Sequence, residues 1–343
     1  MTQDLFYLAV GTTLCFAFVH GFHDGGNVIA TIICSRTMRP GRALLLAAVA
    51  EFIGPLVLGT AVARTMAGSI LKPDIMANLR PEQVYLIAIS GVGGAVFWKL
   101  PTWYMGLPSS GSHAIIGGLV GAGLVCMGTQ GIVLESIIRG VVLPLLLSPL
   151  LGLLIGMFVF SLIRALFGRL HRGVGHMFSA LQKPIMLFLA ASHGSNDAQK
   201  SMGVLALVLA AGTAGLSRGE LDLPDWVVWG CAAAMAIGLA AGSWRIVKTV
   251  GVGICRMEPV HSFASQLTAM SVIMAASLTG GPVSTAQVVA SSVMGVGASR
   301  RLSGVRWSAA ANIAYAWLLT APVSAGLGAG GYWCLSWTIR LFQ

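Results

Sequence analysis

Apolar residues fill the chain in long stretches, and the short polar interruptions between them carry most of the information. Ser192–Gly203 reads SHGSNDAQKSMG; it follows PIMLFLAA and precedes VLALVLAA. Runs approaching the ~20 apolar residues that a helix needs to cross hydrocarbon recur along the whole chain, without the strict alternation of a membrane barrel. The pattern predicts an all-α polytopic membrane protein. The opening MTQDLFYLAVGTTLCFAF lacks the basic leader and small-residue cleavage site of a signal peptide, and is read as the start of the first helix.

Composition agrees. Of 343 residues 56% are hydrophobic and 9% charged, against about 25% charged in soluble domains, and the mean hydropathy is +0.83. The net charge of +10 does not point to nucleic acid, because basic residues of a polytopic protein gather in cytoplasmic loops. Three such clusters occur: Arg36, Arg39 and Arg42; Arg164, Arg169, Arg172 and Lys183; Arg300, Arg301 and Arg306. Glu220, Asp222 and Asp225 form an acidic loop, and the N-terminus carries only Asp4. The clusters are assigned to the cytoplasm of an inner (plasma) membrane, and the N-terminus to the other side. Cys15, Cys34, Cys126, Cys231, Cys255 and Cys334 show no ligand spacing and are read as packing residues.

The sequence repeats itself. VHGFHDGGNVIA (Val19–Ala30) sets His20, Gly21 and Asp24 on His193, Gly194 and Asp197, an offset of 173 (197 − 24). GLPSSGSHAIIGGLVGAG (Gly106–Gly123) sets Pro108 and Ser110 on Pro282 and Ser284 of GGPVSTAQVVASSVMGVG, an offset of 174 (282 − 108). From the loop charges, the first motif helix runs toward the cytoplasm and the second away from it. Inverted repeats with polar, Gly- or Pro-interrupted segments at corresponding positions mark a secondary transporter with its site near the midplane. The repeats are placed at 1–140 and 184–343, joined by a helix near 141–163 and a basic loop reaching 183.

A carboxylate within the bilayer is costly and needs a partner or a purpose. Asp24 and Asp197 either tie helices together, Asp24 through a histidine and Asp197 through Lys200, or join the amides of Asn27, Asn196 and Gln199 in sites for sodium or protons. The Pro-Ser motifs suit an anion. Each places proline and hydroxyls (Ser109, Ser110 and Ser112; Ser284 and Thr285) before an apolar run of about ten residues, some 15 Å as helix and short enough to be re-entrant. Such capped N-termini present free N–H groups to a tetrahedral anion. Lys200 stands where the first half has Asn27, so the halves differ chemically. His20-x-x-His23-Asp24 has a spacing open to a transition metal, which makes a divalent-metal transporter or membrane metalloenzyme the rival reading. It lacks a match in the second half, where Asn196 replaces His23 and Gln287 replaces His113, so no metal ligands are assigned. Glu51, a third acid at membrane depth, has no alignable counterpart and is kept with His23, His113 and Gln287 as accessory. Lys99 and Glu135 lie close enough to segment ends to snorkel and receive no role.

These motifs resemble the inorganic phosphate transporter (PiT) family. GFHDGGNVIAT is similar to its first signature, HGSNDAQKSMG to its second, WYMGLPSSGSH and GGPVSTAQ to its two Pro-Ser motifs, and AWLLTAPVSAGLGAGGYW to its last helix. The resemblance covers essentially the whole chain. It implies a non-enzymatic, cofactor-free symporter, often a homodimer, of about 10–12 transmembrane or re-entrant segments, importing inorganic phosphate with sodium or protons. It also implies that Asp24, Asn27, Asn196, Asp197, Gln199 and Lys200 belong to the site, with Ser109, Ser110, Ser284 and Thr285 on the anion. The His23-Asp24 form is associated with proton-coupled bacterial members. Gly26 stands for the usual alanine, and Ala286-Gln287 for the usual Thr-His, which keeps a sulfate-transporting relative as an alternative.

Overall fold

The computed structural model describes residues 2–69, 71, 73–76, 78–167, 174–212 and 223–341. Its helices are α1 (Thr2–Cys34), α2 (Pro40–Val57), α3 (Ala61–Ser69), α4 (Pro73–Met76), α5 (Pro81–Tyr104), α6 (Gly111–Met127), α7 (Leu134–Ile137), α8 (Leu143–Phe167), α9 (Val174–Gly212), α10 (Asp225–Ala240), α11 (Trp244–Lys248), α12 (Pro259–Thr279), α13 (Thr285–Arg300) and α14 (Trp307–Leu341). Among the described residues, α1, α2, α5, α8, α12 and α14 are long and apolar enough to cross a membrane, and α10 with the segment from Trp244 to Gly253 makes a seventh candidate bent by 60°. The 39-residue α9 is not among them, because the polar motif occupies its middle. The fold is all-α and polytopic, as the apolar pattern predicts. Arg169, His171, Arg172, Glu220, Asp222 and the side chain of Arg300 lie outside the described residues.

The polar motifs do not interrupt their helices: α1 and α9 run straight through them. The Pro-Ser motifs do break the chain, each by the same device. Gly106 and Gly280 take positive φ, 69° and 74°, which only glycine adopts without strain. They turn the chain out of α5 and α12, and proline then carries it, non-helical, to the start of α6 or α13. Those helices have 17 and 16 residues, longer than the ten-residue run suggests, so that α6 reaches about 25 Å.

Small residues set the helix packing. A Cβ on Gly21 would stand 2.0 Å from the carbonyl oxygen of Met235 in α10, and one on Gly194 2.2 Å from that of Glu51 in α2. A Cβ on Gly121 would meet the Ala325 carbonyl of α14 at 1.9 Å, and one on Gly295 the Leu153 carbonyl of α8 at 2.1 Å. α8, the expected connecting helix, is therefore more than a linker: it packs on α13 and α12, while α14 packs on α6 and α5. Exposed leucines and aromatics line α8 and α14, whereas both Lys99 and Lys200 are fully buried. This inside-out partition suits a lipid surround.

Candidate functional site

The two signature helices bring their carboxylates together at the centre of the fold. Asp24 and Asp197 are fully buried, and the His20 ring lies between them, Nε2 being 2.9 Å from Asp24 Oδ2 and 3.2 Å from Asp197 Oδ2. Gly111 makes room for that ring: a Cβ there would stand 2.2 Å from His20 Cε1. His23 Nδ1 meets Asp24 Oδ1 at 2.6 Å, and its Nε2 lies 3.2 Å from Thr102 Oγ1 and 3.3 Å from Ser109 Oγ. Lys99 Nζ donates to Asp24 Oδ2 at 3.0 Å. On the other side Lys200 Nζ donates to Asp197 Oδ1 and, at 3.1 Å, to the Val283 carbonyl. Thr285 donates to Asp197 Oδ2 at 2.7 Å, and His193 Nε2 lies 3.2 Å from the same oxygen.

The starts of α6 and α13 face this network. Ser112 Oγ donates to the Val283 carbonyl at 3.0 Å, linking the two directly. Their caps differ. Ser110 accepts the His113 backbone N–H at 3.3 Å, so α6 is capped as expected, whereas Ser284 makes no side-chain cap bond and its hydroxyl is buried without a partner. Also buried and without a hydrogen-bond partner among the described residues are both amide atoms of Asn27 and Gln287, both ring nitrogens of His113 and Oδ1 of Asn196. Unsatisfied buried polar groups are rare and costly, and these stand on residues that the sequence reading names as ligands or accessory groups.

Two expected ligands are engaged elsewhere. Gln199 Oε1 accepts the backbone N–H groups of Val62 and Ala63, at 2.7 and 3.2 Å, and so holds the start of α3. Asn196 donates to Ser277 Oγ and the Gly281 carbonyl, at 3.3 and 3.2 Å. Glu51, left without a partner by the alignment, meets His193 Nδ1 at 3.0 Å.

Lys99 is the clearest omission of the sequence reading: it does not snorkel but is fully buried on Asp24. Its signal was a lysine in the apolar stretch GVGGAVFW-K-L, five residues before the end of α5. Glu135, by contrast, is exposed and pairs with Arg139. Within His20-x-x-His23-Asp24, His23 Nδ1 meets Asp24 while its Nε2 lies toward Thr102 and Ser109. Among the described residues the compact cation-sized group is His20, Asp24 and Asp197, with ligand atoms within 4.8 Å of one another.

The chemistry is that of a buried polar centre one positive charge short of balance. The network holds three buried acids, Asp24, Glu51 and Asp197, and two buried lysines, Lys99 and Lys200. One more positive charge, on an imidazole or a bound cation, makes it neutral, and uncompensated charge at this depth is strongly unfavourable.

Comparison with known proteins gives one answer. The chain is 36% identical over 330 residues to a probable low-affinity inorganic phosphate transporter of Bacillus subtilis, covering 96% of each. It is 37% identical over 321 residues to a protein of the same description from Rhizobium meliloti, covering 93% of each. A solved structure described as the sodium-dependent phosphate transporter superposes with a TM-score of 0.88 at 24% identity, over 97% of this chain and 99% of that one, which establishes the shared fold. The family model described as Phosphate transporter family matches residues 20–173 and 167–328, and the chain belongs to that family of transporters.

Proposed function

We propose that the protein is a symporter of inorganic phosphate driven by sodium or protons. The anion lies between the starts of α6 and α13, among Ser109, Ser110, Ser112, Ser284, Thr285, Lys200 and Asn196. The travelling cation lies on the side of Asp197 and Asn27, with Asp24, Glu51 and His23 as neighbours; His113 and Gln287 stand beside the anion, and Gln199 acts one step back by fixing α3. The observation that carries this reading is the Ser112–Val283 link, which joins the start of α6 to the turn before α13, whose first residue, Thr285, holds Asp197. The names of the Bacillus and Rhizobium relatives support phosphate as the anion. The name of the structural neighbour favours sodium, while the His23-Asp24 signature favours protons.

The repeats at 1–140 and 184–343 are related by inversion, with 141–183 between them, and access alternates as one rocks against the other. The close contacts support this: Gly21 and Gly194 meet corresponding backbones, as do Gly121 and Gly295. In this reading Met235 is the counterpart of Glu51, at an offset of 184 (235 − 51), and the connecting helix α8 packs on α13 as α14 packs on α6. The basic ends face the cytoplasm across an inner membrane, with the N-terminus outside; Arg39, Arg42 and Lys183 of two separate clusters line one cavity of about 600 Å³. The family resemblance implies a homodimer. The reading is tested by labelled phosphate and sulfate uptake into proteoliposomes under imposed sodium or proton gradients. Phosphate accumulation that follows one gradient is expected; equal uptake with no gradient, as through a channel, or preference for sulfate would overturn it.

A further inference from the structure

The lysine that breaks the sequence symmetry is matched in space by another from a different helix. Lys200 sits three residues after Asp197 on α9, where the first repeat has Asn27 three residues after Asp24. Asp24 nevertheless has its lysine: Lys99, reaching across from α5 to Asp24 Oδ2 at 3.0 Å. The offset of the α5–α6 and α12–α13 turns (280 − 106, or 174) puts Ile273 opposite Lys99, and Ile273 is a buried apolar residue. Each carboxylate therefore receives one fixed ammonium, supplied by α9 in one repeat and by α5 in the other.

The surroundings of Asp24 disfavour a mobile cation. Hard cations take oxygen ligands, but among the described residues the groups bonded to Asp24 are nitrogens, His23 Nδ1 on Oδ1 and His20 Nε2 and Lys99 Nζ on Oδ2, and the Asp197 carboxylate that shares the His20 ring carries its own ammonium, Lys200. Asp197 differs in having the Thr285 hydroxyl on Oδ2. Resting on the symporter reading above, we infer that Lys99 is the resident cation of the first repeat: it holds the place at Asp24 that a transported ion would otherwise take. The site thus compensates its anion with one fewer travelling cation per cycle than a chain with a neutral residue at position 99.

The test is the charge moved per phosphate, from reversal potentials of proteoliposomes containing wild type or Lys99→Gln. Removing the ammonium leaves Asp24 to recruit an ion, so the ratio is expected to rise by one positive charge, with uptake newly stimulated by that ion. A merely structural lysine would lower uptake without altering the ratio, and an unchanged ratio overturns the inference. Should Lys99→Gln fail to fold, the uncharged pair Asp24→Asn/Lys99→Gln is compared with wild type in detergent, counting sodium and protons taken up on addition of inorganic phosphate. An equal count is expected; one cation fewer shows that Asp24 held a mobile ion and overturns the inference. Failure of the symporter reading itself is distinct, since wild type would then take up no phosphate under any gradient.

Discussion

Thr285 donates its hydroxyl to Asp197 Oδ2 at 2.7 Å, joining the first residue of α13 to the carboxylate of the second signature helix. Asp197 Oδ1 takes the Lys200 ammonium. The carboxylate therefore anchors both a helix start and a cation that face the proposed anion.

Asp197→Asn should abolish phosphate uptake while the protein still inserts in the membrane. Breaking a buried pair by removing one partner costs about 3–5 kcal/mol because the other charge is left uncompensated. Uptake below about one-hundredth of wild type follows if ~3 kcal/mol of that loss falls on the transport cycle. Purified protein in liposomes, checked for monodispersity, gives the measurement; near-normal uptake would remove Asp197 from the mechanism.

Ser112→Ala removes the hydroxyl that links α6 to Val283. A hydrogen bond of this kind is worth about 1 kcal/mol net, so the apparent KM for phosphate should rise about fivefold through looser spacing of the two helix starts. Uptake kinetics at saturating coupling ion check this, and an unmoved KM would separate the link from anion binding.

Backbone contacts give a stability test. Gly295→Ala would drive a methyl to 2.1 Å from the Leu153 carbonyl, whereas nothing lies within 4 Å of a Cβ on Gly326 in α14. Overpacking of this kind costs about 1–3 kcal/mol, and an alanine in an open helical position gains about 0.5–1 kcal/mol over glycine. The melting temperature should fall for Gly295→Ala and hold or rise for Gly326→Ala. Similar falls in both variants would contradict the close approach of α8 and α13.

The fold, and which polar motifs meet in its interior, were legible because polar residues inside apolar runs have few explanations. Asp24, Asp197 and the Pro-Ser turns were found from spacing alone. Glu51 found no alignable counterpart because 27 residues separate it from Asp24 (51 − 24), whereas Met235, which meets Gly21 as Glu51 meets Gly194, stands 38 residues after Asp197 (235 − 197). Lys99 was misread because hydropathy sees depth along a helix and not what a neighbouring helix presents to it. Gln199 was given to the substrate because its use by α3 depends on a contact 137 residues distant in the chain.

Gln287 separates function from stability most cleanly. Its side chain is fully buried, and neither amide atom has a hydrogen-bond partner among the described residues. Such a group is unfavourable by about 1–3 kcal/mol unless a ligand satisfies it. In Gln287→Ala that penalty disappears, so the unliganded protein should melt no lower than wild type despite the lost volume. Phosphate loses the donor and acceptor that the amide would give it, so its apparent KM should rise about tenfold, the equivalent of ~1.4 kcal/mol. Thermal unfolding with and without phosphate reads both effects: the variant should show a smaller phosphate-induced rise in melting temperature from an equal or higher starting point. A full phosphate response in the variant would assign Gln287 to packing rather than to the anion.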